Sequence, residues 1–223
     1  MSSHATGQFV GRIVGLLVGV AIFRIVAHAA STEGRKGLLP LGAEAPTFEL
    51  PDVVSGQSIS LDDFADKRAL LVIVVCRHCP YVQHVKAGMA QLARDYAQAS
   101  LGIVAISAND AKAYAEDAPE SLKEMAEEAG LTFPLLYDET QAVAAAYTAV
   151  ATPDFFLFDQ DRRLVYRGQF DDSRPGNGKP VTGRDLRAAI DAVLAGQPVE
   201  AAQQPSFGCS IKWKGDRAPS YLQ

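Results

Sequence analysis

The sequence has few cysteines and no cluster of positive charge. Its 223 residues include three cysteines, too few for a small disulfide-stabilised scaffold or a four-cysteine zinc site. Lys and Arg number 21 against 26 Asp and Glu, a net charge of −5, and they form no basic block. Because nucleic-acid binding depends largely on positive charge facing phosphates, the composition argues against a nucleic-acid partner.

The sequence also lacks an apolar run long enough to cross a membrane. Residues 13–23 form an apolar run of eleven residues, whereas a bilayer span needs about 20. Overall, 48% of residues are hydrophobic and 21% are charged, as in an average soluble globular chain. These proportions exclude a wholly disordered chain and a protein with many membrane spans.

The N-terminal 37 residues have two interpretations. The apolar run and the Ala-His-Ala sequence at residues 27–29 resemble a signal segment and its cleavage site, which makes residues 1–37 a leader or anchor plus a polar linker. Arg24 lies between the two features and counts against this interpretation. The alternative is an extension with no part in the working protein. We expect export or membrane association only if this segment is a genuine leader or anchor.

From residue 38 onward the pattern predicts one α/β domain. The continuous apolar runs at 69–75 and 101–106 are typical of strands that are covered on both faces. Helical spacing of apolar residues begins at Tyr81. Strands alternating with helices and followed by two adjacent strands and a helix predict a mixed sheet over residues 38–200. Residues 201–223 are predicted to form an irregular tail.

The ends of the predicted domain contain shorter signals. Residues 48–50 and 58–60 read as short strands around a turn, which predicts a β extension before the main sheet. Thr182 and Asp185 have the spacing of a capping box, which predicts the start of the last helix at this point.

The sharpest chemical feature is the run Cys76-Arg77-His78-Cys79-Pro80, between a buried strand and a long helix. Two cysteines three positions apart at a helix start can close a small disulfide ring. The helix N-terminus, Arg77 and a protonated His78 would all stabilise a thiolate, so we predict Cys76 as the nucleophile with a lowered pKa. Cys79 is predicted as the resolving thiol, and Pro80 suits the first helical turn.

Two other interpretations of the cysteine pair stay open. A C-x-x-C pair is also half of a zinc site, although only His78, His84 and Cys209 remain as further ligands. Alternatively, the cysteines could be inert core residues. We predict no metal and no cofactor.

Three other regions hold candidate site residues. Thr152-Pro153 precedes a predicted strand, where a proline is either an ordinary boundary or a cis residue. Cys209 in the tail is either a partner for mixed disulfides or a small apolar residue that docks the tail.

The third region is the polar loop at residues 168–178, which is too long for a simple hairpin. Its charged residues either line a cleft beside the cysteines or form an internally paired surface loop. These residues are Asp171, Asp172 and Arg174.

A C-x-x-C pair after a central strand and a Thr-Pro before a later one resembles the thioredoxin superfamily. The resemblance implies a thioredoxin-like three-layer sandwich, a mixed central sheet with helices on both faces. It implies that the Thr152–Pro153 bond is cis and packs against the cysteine pair. It also implies that Thr152 offers its backbone to an incoming peptide or thiol substrate.

The opening LPLGAEAPTFELPDVVSG is similar to the redoxin group, which includes alkyl hydroperoxide reductases and thiol-specific antioxidant proteins. CRHCPYVQH, TPDFFLFD and FGCSIKWK look like a little-characterised bacterial family that is thioredoxin-like and peroxiredoxin-related. This likeness runs from Leu39 to Lys214. Members usually lack a leader, which implies a cytoplasmic location.

One departure from the peroxiredoxin pattern P-x-x-x-T-x-x-C bears on function. Ile73 and Ala69 occupy the Thr and Pro positions, so the hydroxyl that would help to activate a peroxide is missing. We therefore predict a thiol–disulfide oxidoreductase that acts on protein or small-thiol substrates with an external electron donor or acceptor. The alternatives are a thiol peroxidase and a non-enzymatic metal-binding protein.

Arg77-His78 resembles the oxidising end of the superfamily, which predicts a reduction potential above thioredoxin's value of about −270 mV.

Overall fold

The computed structural model describes residues 1–2, 37–215 and 218–222. The apolar run and the cleavage-like sequence at residues 13–29 lie outside the described residues, so their interpretation stays a prediction. Among the described residues, none of the helices has the length and apolar character needed to cross a membrane.

The described residues form seven strands and four α-helices. The strands are β1 (Glu49–Pro51), β2 (Ser58–Ser60), β3 (Ala69–Val75), β4 (Leu101–Ser107), β5 (Leu135–Tyr137), β6 (Asp154–Phe158) and β7 (Leu164–Gly168). The helices are α1 (Pro80–Asp95), α2 (Pro119–Ala129), α3 (Ala142–Ala146) and α4 (Arg184–Leu194).

The main sheet is mixed and has the strand order β5-β4-β3-β6-β7. β3 runs parallel to β4, and β6 runs antiparallel to both β3 and β7. β3 lies in the middle because all seven of its residues are apolar and buried. β1 and β2 pair separately as a short antiparallel hairpin, which is the predicted β extension.

Both faces of the sheet are covered, because successive side chains of a strand point to opposite sides. Leu71 and Ile73 of β3 join the core that contains residues of α1, α2 and α4. Leu70 and Val72 join the other core, which includes α3 and the segment before β1. The predicted mixed α/β sandwich with helices on both faces is therefore confirmed.

Two features differ from the sequence predictions. β5 was not predicted, since only three residues pair with β4. The predicted capping box at Thr182 is wrong, because Gly183 is the residue before α4 and has a φ of 67°. The backbone N–H groups of Thr182 and Gly183 instead donate to Oδ2 of Asp171, each at 2.6 Å. The Asp171 carboxylate, from the loop before α4, therefore serves in place of a local cap.

Candidate active site

The cysteine pair lies where the central strand meets the longest helix. β3 ends at Val75, and α1 begins at Pro80 with Cys79 as its N-cap. Proline fits this first helical position because its missing N–H would have no partner there. The Cys76 and Cys79 thiols are free and fully buried, each with 0% exposure.

Sheet topology brings Thr152 to the same place. Since β3 and β6 are antiparallel and Val74 pairs with Asp154, the residues before β6 lie beside those after β3. Cys76 Sγ is 3.2 Å from Thr152 Oγ1, and Cys79 Sγ is 3.0 Å from the Thr152 carbonyl oxygen. The Thr152–Pro153 peptide bond is cis.

The two thiols also contact each other, and this contact separates their pKa values. The hydrogen bond from Cys76 lowers the pKa of Cys79, and the Val82 backbone N–H at the start of α1 acts in the same direction. The Thr152 carbonyl oxygen opposes this shift, because only a protonated thiol can donate to it. The hydrogen bond with Cys79 raises the pKa of Cys76, as do burial and the negative charge of Asp117.

This order reverses the prediction that Cys76 has the lowered pKa. The main physical reason is the hydrogen bond between the two thiols, which stabilises the thiolate of Cys79 and the protonated form of Cys76. Burial and the negative charge of Asp117 raise the pKa of Cys76 further.

Asp117 belongs to the site although no motif in the sequence points to it. It is 0% exposed and lies in a short 3-10 turn before α2. Its Oδ1 accepts the backbone N–H groups of Arg77 at 2.7 Å and His78 at 3.2 Å. Its Oδ2 lies 2.5 Å from His78 Nδ1 and 2.8 Å from Asn109 Nδ2. Asp117 therefore fixes the two residues between the cysteines.

The two residues between the cysteines were predicted to stabilise the Cys76 thiolate. A ring nitrogen of His78 does lie within 4.8 Å of the Cys76 sulfur, but the hydrogen bonds of both side chains go to other residues. The Arg77 guanidinium donates to Glu124 at 2.6 Å and to the Ser121 carbonyl oxygen at 2.6 Å, so its charge is paired at α2. The His78 ring stacks on Tyr114 with 5.3 Å between centroids and bonds to Asp117. Both residues hold the loop in place through these contacts.

Cys209 joins the pair from the C-terminal tail. Its side chain packs against the core that contains Cys76 and Cys79. The Thr152 N–H donates to the Cys209 carbonyl oxygen at 2.8 Å, and the Cys209 N–H donates to the Thr152 carbonyl oxygen at 3.2 Å. The backbone that was expected to meet a substrate is therefore already paired with the chain's own tail.

The predicted cleft residues of the loop after β7 divide into two groups. Asp171 and Arg174 line a small pocket together with Pro153 and Phe207. Asp171 is 1% exposed and caps α4, so its carboxylate serves the fold. Asp172 is partly exposed and bonds to Lys179 at 2.7 Å. Asp172 therefore fits the second alternative, a surface residue that is paired within the loop.

One group of described side chains could in principle hold a metal. The ligand atoms of Cys76, His78 and Asp117 lie within 4.8 Å of one another. However, both carboxylate oxygens of Asp117 already accept N–H groups. A metal would have to displace these donors, so the arrangement fits a hydrogen-bonded loop better than a metal centre.

Comparison with known proteins identifies the family at this point. Residues 41–167 match the AhpC/TSA family, which is more than half of the chain. The chain belongs to the AhpC/TSA family.

Several relatives have redox names. A Mycobacterium tuberculosis (strain ATCC 25618 / H37Rv) protein provisionally named a peroxiredoxin is 32% identical, over 56% of this chain and 81% of its own. The thiol-disulfide oxidoreductase ResA of Bacillus thuringiensis (strain Al Hakam) is 27% identical, over 58% of this chain and 70% of its own.

Solved structures agree on the fold of this AhpC/TSA protein. An uncharacterised conserved protein from Geobacillus kaustophilus is 52% identical with a TM-score of 0.78, covering 81% of this chain and 95% of its own. A structure from Chlorobium tepidum, titled as a thiol:disulfide interchange protein, shares the fold at 19% identity with a TM-score of 0.56, covering 70% of this chain and 99% of its own. The fold is thioredoxin-like.

Proposed function

We propose that this protein is a thiol–disulfide oxidoreductase whose Cys76 and Cys79 cycle between a dithiol and a disulfide. The observation that carries the proposal is the convergence of two free thiols at the junction of β3 and α1, where Cys76 Sγ lies 3.2 Å and Cys79 Sγ 3.0 Å from oxygen atoms of Thr152. The name of the ResA relative supports the same reaction class. The substrates are thiols or disulfides, and an external donor or acceptor completes the cycle.

The proposed reaction balances without a cofactor. One sulfur of the pair attacks a substrate disulfide as a thiolate, forming a mixed disulfide and releasing one substrate thiolate. The second sulfur then attacks the mixed disulfide, which forms the Cys76–Cys79 bond and releases the other substrate thiolate. The two protons of the dithiol end on the two released thiols. The substrate is reduced by two electrons and the protein is oxidised by two, and the reverse sequence oxidises a dithiol.

The test is a titration of the full chain in glutathione buffers, with acid quenching and mass mapping of the cysteines. We expect a Cys76–Cys79 disulfide that forms and opens reversibly, and no such species in the Cys76→Ser and Cys79→Ser variants. Because a stabilised thiolate favours the reduced form, we expect a reduction potential above about −270 mV, the thioredoxin value. A chain that never forms the Cys76–Cys79 bond would refute the proposal.

A thiol peroxidase is the second candidate, and one contact favours it. Thr152 Oγ1 lies 3.2 Å from Cys76 Sγ, so a hydroxyl is present although Ile73 occupies the usual Thr position of the peroxiredoxin pattern. In this reaction the Cys76 thiolate takes one oxygen from a hydroperoxide and releases an alcohol or water. Cys79 then condenses with the sulfenic acid, giving a disulfide and water.

Peroxide consumption with a dithiol donor distinguishes the two candidates. A peroxidase removes peroxide catalytically in the wild type, and the Thr152→Val variant loses most of this rate. An oxidoreductase without peroxidase activity turns over disulfides, and its peroxide consumption stays at the rate of the donor alone.

A further inference from the structure

The three cysteines form a cluster with a gradient of exposure. Cys76 and Cys79 are fully buried, whereas Cys209 is partly exposed. All three cysteines meet at Thr152: Cys76 Sγ lies 3.2 Å from its Oγ1, and its carbonyl oxygen accepts both the Cys79 thiol at 3.0 Å and the Cys209 N–H at 3.2 Å. A molecule arriving from solvent therefore meets Cys209 first, and the pair that carries the proposed chemistry is covered.

The tail that carries Cys209 is fitted closely to the site. A Cβ at Gly208 would lie 1.9 Å from the Thr152 carbonyl oxygen, so only glycine permits this approach. Ser206 Oγ bonds to Asp154 at 2.7 Å, and the Lys212 N–H donates to Asn109 Oδ1 at 2.9 Å. Anchors on both sides of Cys209 thus hold its sulfur against Cys79.

We propose that Cys209 is a third redox thiol, which relays disulfide exchange between the buried Cys76–Cys79 pair and a thiol partner in solvent. The proposal rests on the proposed function, because it requires the pair to form a disulfide. In this proposal, the sulfur of Cys209 is the one that the external dithiol donor attacks.

The exchange step conserves atoms and electrons. The Cys209 thiolate attacks the Cys79 sulfur of the Cys76–Cys79 disulfide. The Cys79–Cys209 bond forms, the Cys76–Cys79 bond breaks, and Cys76 leaves as a thiolate that takes up the proton Cys209 has lost. No oxidant is needed, since one disulfide replaces another.

Reduction by the partner completes the relay. A thiolate of the dithiol donor attacks the Cys209 sulfur and displaces Cys79 as a thiolate. The second donor thiol then attacks the mixed disulfide, which releases Cys209 and leaves the donor as a disulfide. The donor loses two electrons and the protein gains two.

The surroundings of the sulfurs suit the reduction step, in which Cys79 is the leaving group. A thiol of lower pKa is the better leaving group, and Cys79 has the lowered pKa, whereas Cys76, the leaving group of the exchange step, has a raised one. Burial, first, and contact with a charged Cys79, second, together raise the pKa of Cys209 to about 11. When Cys79 is in a disulfide it has no charge, so this second contribution disappears and Cys209 ionises more readily.

The first experiment uses the full-length Cys76→Ser variant in a glutathione buffer, with mass mapping. We expect a Cys79–Cys209 disulfide as the main oxidised species. Glutathione adducts on Cys79 and Cys209 without a bond between them would overturn the relay. A wild-type chain that fails to form Cys76–Cys79 in the same buffer would refute the proposed function instead, so the two failures are distinguishable.

The second experiment measures how fast dithiothreitol reduces the oxidised chain. We expect Cys209→Ser to slow reduction about tenfold, because the reagent must then wait for the tail to open locally. The double variant Cys209→Ser with Ser210→Cys is the control, since it keeps a tail thiol but moves it to the next, exposed residue, and we expect it to stay slow. If Cys209 only packed the tail in place, Cys209→Ser would make reduction faster, because a looser tail exposes the cysteine pair. Unchanged or faster reduction in Cys209→Ser would overturn the relay.

Discussion

Cys79 has two structural roles at the scale of the single residue. It is the N-cap of α1, and its thiol donates to the Thr152 carbonyl oxygen at 3.0 Å. A cap residue ordinarily offers a side-chain oxygen to the N–H groups of the first turn. The Cys79 side chain makes no such cap bond, so its sulfur is available to the site.

The lowered pKa of Cys79 predicts a pH dependence for the stability of the reduced protein. In the unfolded chain this thiol titrates near its ordinary value of 9.0, and in the folded chain it loses its proton at lower pH. The unfolded state therefore binds more protons below pH 9.0, and the free energy of unfolding rises with pH. This contribution is complete above the ordinary value and is lost as the pH falls through the lowered one.

The measurement is urea unfolding of the reduced wild type and of Cys79→Ser at several pH values below 9.0. We expect the wild type to gain stability relative to the variant as the pH rises. The oxidised wild type is the control, because Cys79 has no titrating thiol in the disulfide. Parallel curves for reduced wild type and variant would contradict the prediction.

Sequence reasoning found the cysteines of the site but not their surroundings. The C-x-x-C spacing and its place after an apolar run are local signals, and the structure places both cysteines at the strand–helix junction. Asp117 could not be found in this way. It lies 40 residues from Arg77 along the chain, and its burial depends on tertiary packing. Its negative charge also contributes to the raised pKa of Cys76.

At the scale of the element, two adjacent acidic residues in the loop before α4 have different roles. Asp171 is buried and its carboxylate accepts backbone N–H groups of Ser173, Thr182 and Gly183. Asp172 is partly exposed and pairs with Lys179. The two residues have the same side chain, so they form a matched pair for mutation.

We expect Asp171→Ala to lower the free energy of unfolding by about 1–3 kcal/mol, because it leaves buried backbone N–H groups without an acceptor. Asp172→Ala is the control, and we expect almost no change, since screened surface pairs contribute little. Chemical unfolding of the three proteins at one pH is the measurement. Equal losses in the two variants would show that the cap contributes nothing.

Element predictions succeeded where the signal was local and failed where it depended on distant residues. β3 and β4 were predicted within a residue at both ends, and the three-residue strands β1 and β2 were predicted within a residue as well. β5 also has three residues, but it is defined only by its pairing with β4. The Thr182 capping box failed because Asp171, eleven positions away, accepts the Thr182 N–H instead.

At the scale of the molecule, the tail packs against both the candidate site and the core. Residues around Cys209 pair with Thr152, and Ile211 is buried in the core that includes α3. The sequence correctly predicted that this segment lacks regular structure over most of its length. Its packing could not be predicted, since an irregular segment has no periodicity that indicates which side faces the core.

Gly208 provides a test of how the tail covers the site. We expect Gly208→Ala to displace the tail, because the added Cβ would lie 1.9 Å from the Thr152 carbonyl oxygen. Alkylation of Cys76 and Cys79 by a small reagent in the native reduced protein should then become faster. Ser210→Ala, at an exposed neighbouring position, is the control and should label at the wild-type rate. Equal labelling of all three proteins would show that the tail does not limit access.

The pairing between Thr152 and the tail also has a consequence for molecular size. An extended polypeptide that sought the same two backbone groups would first have to strip away the residues from Ser206 to Lys212, together with their hydrogen bonds. A compact disulfide that reaches only the outermost sulfur displaces none of them. We therefore expect the reduced protein to react faster with small, freely diffusing disulfides than with disulfides held in long extended chains.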